Sequence, residues 1–141
     1  KRNNFQSLIA IDLFTGTHSW NQKIETYKTF ICRMKRNKLE AFVKPIRGDS
    51  RDIIKDWPKE KKITILHLDG DHIYELIKAD IDNYTPYLEH NGIVIFDDYD
   101  SDHPGVTKAV HNLLNSGKFR VINITPEVKK GYGNIALQKV G

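Results

Sequence analysis

Apolar residues fall along this chain in short runs and helical stripes rather than in long tracts. Ser7 to Phe14 is an aliphatic, partly β-branched run closed by Thr15-Gly16, which predicts a short buried strand. Ser19 and Gln22 form a capping box, and Ile24, Tyr27, Phe30, Ile31 and Met34 recur at helical spacing behind it. Ala41 to Ile46 reads as a second strand, at an edge or ending there, because Pro45 lacks a backbone donor. Gly48-Asp49-Ser50 turns the chain into a short helix, Arg51 to Trp57, stopped by Pro58.

Ile63 to Leu68 is a third strand, continuous enough in its apolar character to lie centrally in a parallel sheet. A helix is predicted from about His72, with Ile73, Leu76, Ile77, Ile81 and Tyr84 along one side and Asn91-Gly92 ending the segment. Ile93 to Phe96 is a fourth strand. Pro104, suited to a first helical turn, opens a helix with Val106, Val110, Leu113 and Leu114 inward. Phe119 to Ile124 and Asn134 to Val140 close the chain as strands, with no helix in the loop from Thr125 to Gly133.

Strand and helix thus alternate, and two strands finish without a helix between them. Alternation implies βαβ crossovers and a mostly parallel sheet covered on both faces, and the last pair must be antiparallel neighbours. The expected fold is an α/β, Rossmann-like, doubly wound sheet with an antiparallel last strand, in a single domain over residues 1–141.

Composition adds exclusions. The longest apolar runs are four residues, Leu8 to Ile11 and Ile93 to Phe96, too short to span a bilayer. The opening residues lead straight into the first strand, so no signal peptide is visible. The single cysteine, Cys32, excludes an intramolecular disulfide and a cysteine metal cage, and the expected setting is reducing and cytoplasmic.

Charge is unevenly spread. Residues 23–62 carry thirteen Lys/Arg against six acids, a net of +7, whereas residues 69–102 carry ten acids against Lys78 alone, a net of −9. The basic half has no aromatic interleaving, so neither nucleic acid nor membrane is expected as a partner. The acidic half is either a solvated face or a site, because crowded carboxylates repel unless solvent, a proton or a cation separates them.

Ligands of open α/β sheets bind beyond the carboxyl ends of the strands, where this chain places its acids. The first strand ends at Asp12, the third runs into Asp69-Gly70-Asp71-His72, and the fourth into Asp97-Asp98-Tyr99-Asp100. With strands three and four about 4.8 Å apart as neighbours, Asp69, Asp71, Asp97 and Asp98 converge. Helix capping accounts for one aspartate per loop, not for two pairs on consecutive loops. An oxygen-rich site for Mg²⁺, Ca²⁺ or Mn²⁺ accounts for all four. Asp12 fits a turn or a ribose acceptor, and Gly48-Asp49-Ser50 fits an adenine edge or a helix cap. His67 is expected as a core or sheet histidine, and His18, His90, His103 and His111 lack a partner at ligand spacing.

These blocks carry a resemblance. Leu68-Asp69-Gly70-Asp71-His72, Tyr74-Glu75, Asp80, Asn91-Gly92 through Asp97-Asp98-Tyr99, and Pro104-Gly105-Val106 with Ala109-Val110 are similar, in order and spacing, to the macrocin/sugar O-methyltransferase-like family. That family is a metal-dependent, family-24-like branch of the class I S-adenosylmethionine methyltransferases. The resemblance covers most of the chain, weakly before Gly48 and strongly after Leu66. It implies that Asp69, Asp97 and Asp98 hold a divalent cation, and that Asp71 or His72 is the base for the acceptor hydroxyl. Asp12, Gly48, Asp49, Ser50 and Asp69 would face the cofactor, S-adenosylmethionine, and the acceptor would be a small-molecule hydroxyl.

The family's glycine loop, which follows its first strand and cradles the methionine end of the cofactor, has no counterpart in this chain. Gly16, Gly48, Gly70 and Gly92 are isolated. The expectation is an N-terminally truncated domain without its first βα unit, inactive alone and weak toward the cofactor. The strands ending at Asp12 and at Asp69 would then face each other with unpaired edges, which favours an altered sheet or self-association as a homo-oligomer. Two other enzyme readings fit less well. A haloacid-dehalogenase-type phosphatase needs a lysine motif that Lys78 does not supply, and a metallo-hydrolase built on His67-x-Asp69-x-Asp71-His72 needs further downstream histidines. A degenerate methyltransferase-like domain serving in binding or assembly is the non-enzymatic alternative.

Overall fold

The computed structural model describes residues 8–15, 25–100, 102–125 and 133–141. The chain gathers into two compact units, Lys1–Lys55 and Asp56–Gly141.

In the first unit, strand β1 (Leu8–Asp12) runs parallel to β2 (Val43–Arg47), in a register from Leu8 opposite Val43 to Asp12 opposite Arg47. Pro45 sits in β2, whose only ladder among the described residues is with β1, so the missing donor faces an unpaired edge. Helix α1 (Tyr27–Arg36) buries Met34 and meets Phe14 through Tyr27 and Phe30, with ring centroids 5.0 and 5.2 Å away. The Ser19–Gln22 capping box and Ile24 lie outside the described residues. The helix begins after Thr26, whose side chain makes no cap bond. Helix α2 (Ser50–Ile53), continued by a 3₁₀ turn at Ile54–Asp56, is the short helix predicted after Gly48-Asp49-Ser50.

The second unit is a four-stranded sheet of order β3-β4-β6-β5, formed by β3 (Ile63–Leu68), β4 (Leu88–Phe96), β5 (Phe119–Thr125) and β6 (Asn134–Lys139). β3 and β4 are parallel, and β6 is antiparallel to both β4 and β5, as the closing pair of strands required. Helices α3 (Tyr74–Tyr84) and α4 (Pro104–Asn115) pack on this sheet. Their residues Ile77, Ile81, Val106, Ala109 and Val110 join Val94, Phe96, Ile135 and Leu137 in one buried cluster.

Two elements differ from expectation. Among the described residues β3 is an edge strand, not central as its apolar run suggests but unpaired on one side as expected without the first βα unit, and Ile65 is 61% exposed on it. β4 begins at Leu88 rather than Ile93, because helix α3 stops at Tyr84 and Pro86 carries the chain through a 3₁₀ turn into the strand. Asn91-Gly92 therefore does not end a helix. It lies in an irregular stretch of β4, where Ile63 opposes Leu88 but Ile65 already opposes Ile93. Asn91 takes a φ of +63°, which suits asparagine, and a side chain on Gly92 would strike Leu88 and the Glu89 carbonyl.

Candidate active site

The site of the second unit is set by the register of two strands. Leu68 and Phe96, the last residues of β3 and β4, are paired, and the Asp97 amide donates to the Leu68 carbonyl at 3.1 Å. Asp69 and Asp97-Asp98 thus leave the sheet side by side. One carboxylate oxygen from each of Asp69, Asp97 and Asp98 lies within 4.8 Å of the others. Burial and the neighbouring Asp97 push the Asp69 carboxyl above its ordinary value, Asp98 adds to the rise, and His67 and His72 partly oppose it. A cavity of about 20 Å³, room for one water-sized species, is lined by Asp69, Asp71, Asp80, Asp97 and Asp98 over Phe96.

The loop after β4 is tightly built. Asp98 holds a φ of +53°, a conformation that persists only where its surroundings fix it. Its Oδ2 lies 2.8 Å from His72 Nε2, at ion-pair distance. The Tyr99 amide donates to the Gly133 carbonyl at 2.8 Å, and a Cβ on Gly133 would lie 2.1 Å from the Tyr99 oxygen. Similarly, a Cβ on Gly105 would lie 2.2 Å from the His72 carbonyl oxygen. The start of α4 and the start of β6 therefore press on the two acidic loops with backbone alone.

Asp71 and His72 stand differently in this site. Asp71 Oδ1 accepts from the Ile73 amide at 3.1 Å, at the entry to α3. Its Oδ2 is buried and has no hydrogen-bond partner among the described residues. His72 is already engaged with Asp98.

Sequence reasoning missed Asp100 and His103. The Asp100 side chain is fully buried, and its Oδ1 accepts from the amides of Asp102 and His103, both at 2.9 Å, and from His103 Nδ1 at 2.8 Å. The His103 ring lies 4.1 Å from that of His72, so it does have partners at ligand spacing, contrary to expectation. The signal was Asp100-x-x-His103 just ahead of Pro104, a spacing that closes on a loop as readily as on a helix. His111 meets only the Tyr99 hydroxyl at 3.1 Å and joins no ligand group among the described residues, His67 lies exposed on the edge strand, and His90 is exposed. His18 lies outside the described residues.

Burial alone would raise the Asp100 carboxyl, but its bonds from His103 and Asp102 outweigh that and hold it below the ordinary carboxylate value. A depressed carboxylate contributes stability above the unfolded value of about 3.9, lost as pH falls through the folded value. Asp100→Ala leaves three donors without their acceptor and is expected to cost about 1–3 kcal/mol at neutral pH. The loss should shrink as the pH is lowered into that acid range, read from thermal unfolding at several pH values. An equal loss at every pH would contradict a depressed Asp100.

Of the predicted cofactor residues, Asp12, Gly48, Asp49 and Ser50 lie at the carboxyl ends of β1 and β2 in the first unit, and Asp69 belongs to the second. Asp12 and Arg47 are register partners, and the Gly48 amide donates to the Asp12 carbonyl at 3.0 Å. Asp12 Oδ1 accepts from the Phe14 amide. Asp49 caps α2 through the Arg51 amide at 2.9 Å and pairs with the Arg51 guanidinium, and Ser50 is the first residue of that helix.

A family model described as a methyltransferase domain matches residues 1–99 of this chain. No curated protein matches it significantly in sequence. Among solved structures it is similar to CalS11, a TDP-rhamnose 3'-O-methyltransferase of calicheamicin biosynthesis, at 20% identity and a TM-score of 0.62, covering 95% of this chain and 60% of that one. It is similar to the O-methyltransferase NovP at 18% identity and a TM-score of 0.67, covering 96% and 60%. The O-methyltransferase TomG of Streptomyces achromogenes, involved in tomaymycin synthesis and solved with S-adenosylmethionine, matches at 18% identity and a TM-score of 0.65, covering 96% and 62%. The chain spans about 60% of the length of these proteins, and the likeness shows a shared Rossmann-like fold.

Proposed function

This chain belongs to the methyltransferase-domain family that its residues 1–99 match, and from that premise we propose that it serves S-adenosylmethionine-dependent methyl transfer to a small-molecule hydroxyl, assisted by a divalent cation such as Mg²⁺. The observation that carries this reading is the meeting of Asp69, Asp97 and Asp98 beside the unpartnered Asp71 oxygen.

The donor set fits the cation. Three carboxylates within 4.8 Å around a water-sized cavity offer only hard oxygen ligands, and the burial and neighbouring carboxylates that raise Asp69 are offset by positive charge. Asp69, Asp97 and Asp98 would hold it, and when bound it would lower the pKa of an acceptor hydroxyl placed against it. Asp71 is the base in this reading, because Oδ1 is anchored by the Ile73 amide while Oδ2 is left to take the hydroxyl proton. His72, tied to Asp98, orients that carboxylate. In the first unit Asp12 serves the ribose hydroxyls and the Gly48-Asp49-Ser50 turn the adenine edge.

The reading includes a cytoplasmic setting, a homo-oligomer, and a partner that is neither nucleic acid nor membrane. Among the described residues no helix is long and apolar enough to cross a membrane.

Calorimetric titration with Mg²⁺ and Mn²⁺, in parallel with label transfer from S-adenosylmethionine to sugar and phenol acceptors, tests it. Asp97→Ala and Asp98→Ala are each expected to abolish cation binding with circular dichroism unchanged, since both residues stand on a loop outside the core. Wild-type affinity in both variants would overturn the site.

A further inference from the structure

Beside the all-oxygen group lies a second one of different chemistry. His72, Asp98 and His103 each offer a ligand atom, all within 4.8 Å of one another, so two imidazoles and one carboxylate share a point with Asp98 common to both groups. The three come from the entry to α3, the loop after β4 and the residue that precedes α4. We infer that His72, Asp98 and His103 form a binding site for a borderline-soft divalent cation of the Zn²⁺, Ni²⁺ or Co²⁺ type.

The independent observation is what stands behind His103. The Asp100 side chain is fully buried, and its Oδ1 accepts the Nδ1 hydrogen of His103 at 2.8 Å. A histidine so held keeps its Nδ1 hydrogen and presents Nε2 as a lone-pair nitrogen, and metal-ligating histidines are held by a carboxylate in this way. Asp100 is fixed in turn, since its carbonyl accepts from the Thr107 hydroxyl at 2.9 Å and its Oδ1 takes two amides of its own loop. The one carboxylate thus closes its own loop through two amides and also fixes the orientation of the His103 ring.

The ligand types decide the class of ion. Two nitrogens and one oxygen suit Zn²⁺, Ni²⁺ or Co²⁺, with a fourth position left for water, whereas Mg²⁺ prefers the oxygen-only group. Ligand atoms around a tetrahedral ion with 2.0–2.1 Å bonds are about 3.3 Å apart, so the site closes by rotation of side chains already in contact. The cation would lie between His72 Nε2 and Asp98 Oδ2, with neutral His72 carrying its single hydrogen on Nδ1 so that Nε2 offers its lone pair. Because Asp98 serves both groups, filling the nitrogen site weakens the oxygen site. A transition ion would then compete with Mg²⁺ by taking a shared ligand.

The test measures Ni²⁺ and Mn²⁺ binding separately, on wild type and on His103→Ala, Asp100→Asn and Asp97→Asn. Ni²⁺ affinity is expected to fall at least tenfold in His103→Ala and about 10–100-fold in Asp100→Asn, the range for removing a carboxylate behind a ligand. Mn²⁺ affinity should be kept in His103→Ala. Asp97→Asn should show the reverse, losing Mn²⁺ and keeping Ni²⁺. Unchanged Ni²⁺ affinity in folded His103→Ala overturns the proposal, as does loss of both ions together in that variant. Should the variants not fold, histidine ring resonances of the wild-type chain under Zn²⁺ decide: shifts at His72 and His103 support the site, and shifts confined to other histidines overturn it. Failure of Mn²⁺ to bind at all would strike the O-methyltransferase reading and leave this one standing on its Ni²⁺ results.

Discussion

With the intact enzyme, replacing Asp71 by asparagine is expected to lower methyl-transfer turnover by about 10²–10⁴-fold, the usual contribution of a positioned general base. The change is small in volume and spares the local structure, because asparagine still offers Oδ1 to the Ile73 amide. It replaces the oxygen that has no hydrogen-bond partner among the described residues, and an amide nitrogen there cannot take a proton. Cation affinity should stay near wild type, since Asp69, Asp97 and Asp98 are intact. Steady-state rates with the cofactor and cation saturating are the measurement. If His72→Ala shows the loss and Asp71→Asn does not, the base is the imidazole and the carboxylate only shapes the entry to α3.

The largest effect on stability is expected at Phe96, which is 1% exposed at the end of β4 and belongs to the cluster with Ile77, Val106 and Ile135. Phe96→Ala removes a ring from a close-packed interior and should cost about 3–5 kcal/mol. That is a large share of the roughly 5–15 kcal/mol that holds a typical domain folded. Leu137→Ala, fully buried on β6 and at a distance in sequence from either acidic loop, should cost about 2–5 kcal/mol. Urea unfolding followed by circular dichroism gives both values. The pair is informative because Phe96 also precedes Asp97. A Phe96 variant that keeps cation binding at low temperature would show that the loop holds its shape without the ring beneath it. A loss below about 1 kcal/mol at either position would mean that the core lies elsewhere.

Much of the fold was legible because its signals are local. Helix stripes such as Ile77, Ile81 and Tyr84 and the proline opening α4 each depend on a few neighbouring residues. The strand ends carrying Asp69 and Asp97-Asp98 were legible for the same reason, and pairing of β3 with β4 then brings them together. What failed depended on partners distant in sequence. Ile63 to Leu68 reads as a central strand from its apolar run, yet edge or centre is decided by what pairs on either side. Asn91-Gly92 is a turn signal that fits a helix end, a hairpin or a strand irregularity equally well, and the Pro86 turn settled which. Asp100 and His103 escaped because their carboxylate–imidazole contact is made within a loop whose path is set by Gly133 and Thr107, on other elements.

The glycines at 105 and 133 give the site a mechanical property of its own. Each leaves a clearance that no other amino acid fits, against the His72 carbonyl in one case and the Tyr99 carbonyl in the other. The acidic loops therefore have almost no slack toward the elements behind them, and a displacement of α4 or of the start of β6 is passed to His72 or Asp98 nearly undiminished. A single added methyl group at either glycine would act as a wedge, spoiling ligand alignment while the distant core stayed closed. Variation tolerated on the outer faces of α4 and β6 is thus barred on one atom's width of their inner ends, and these two positions set the tolerance to which the whole site is machined.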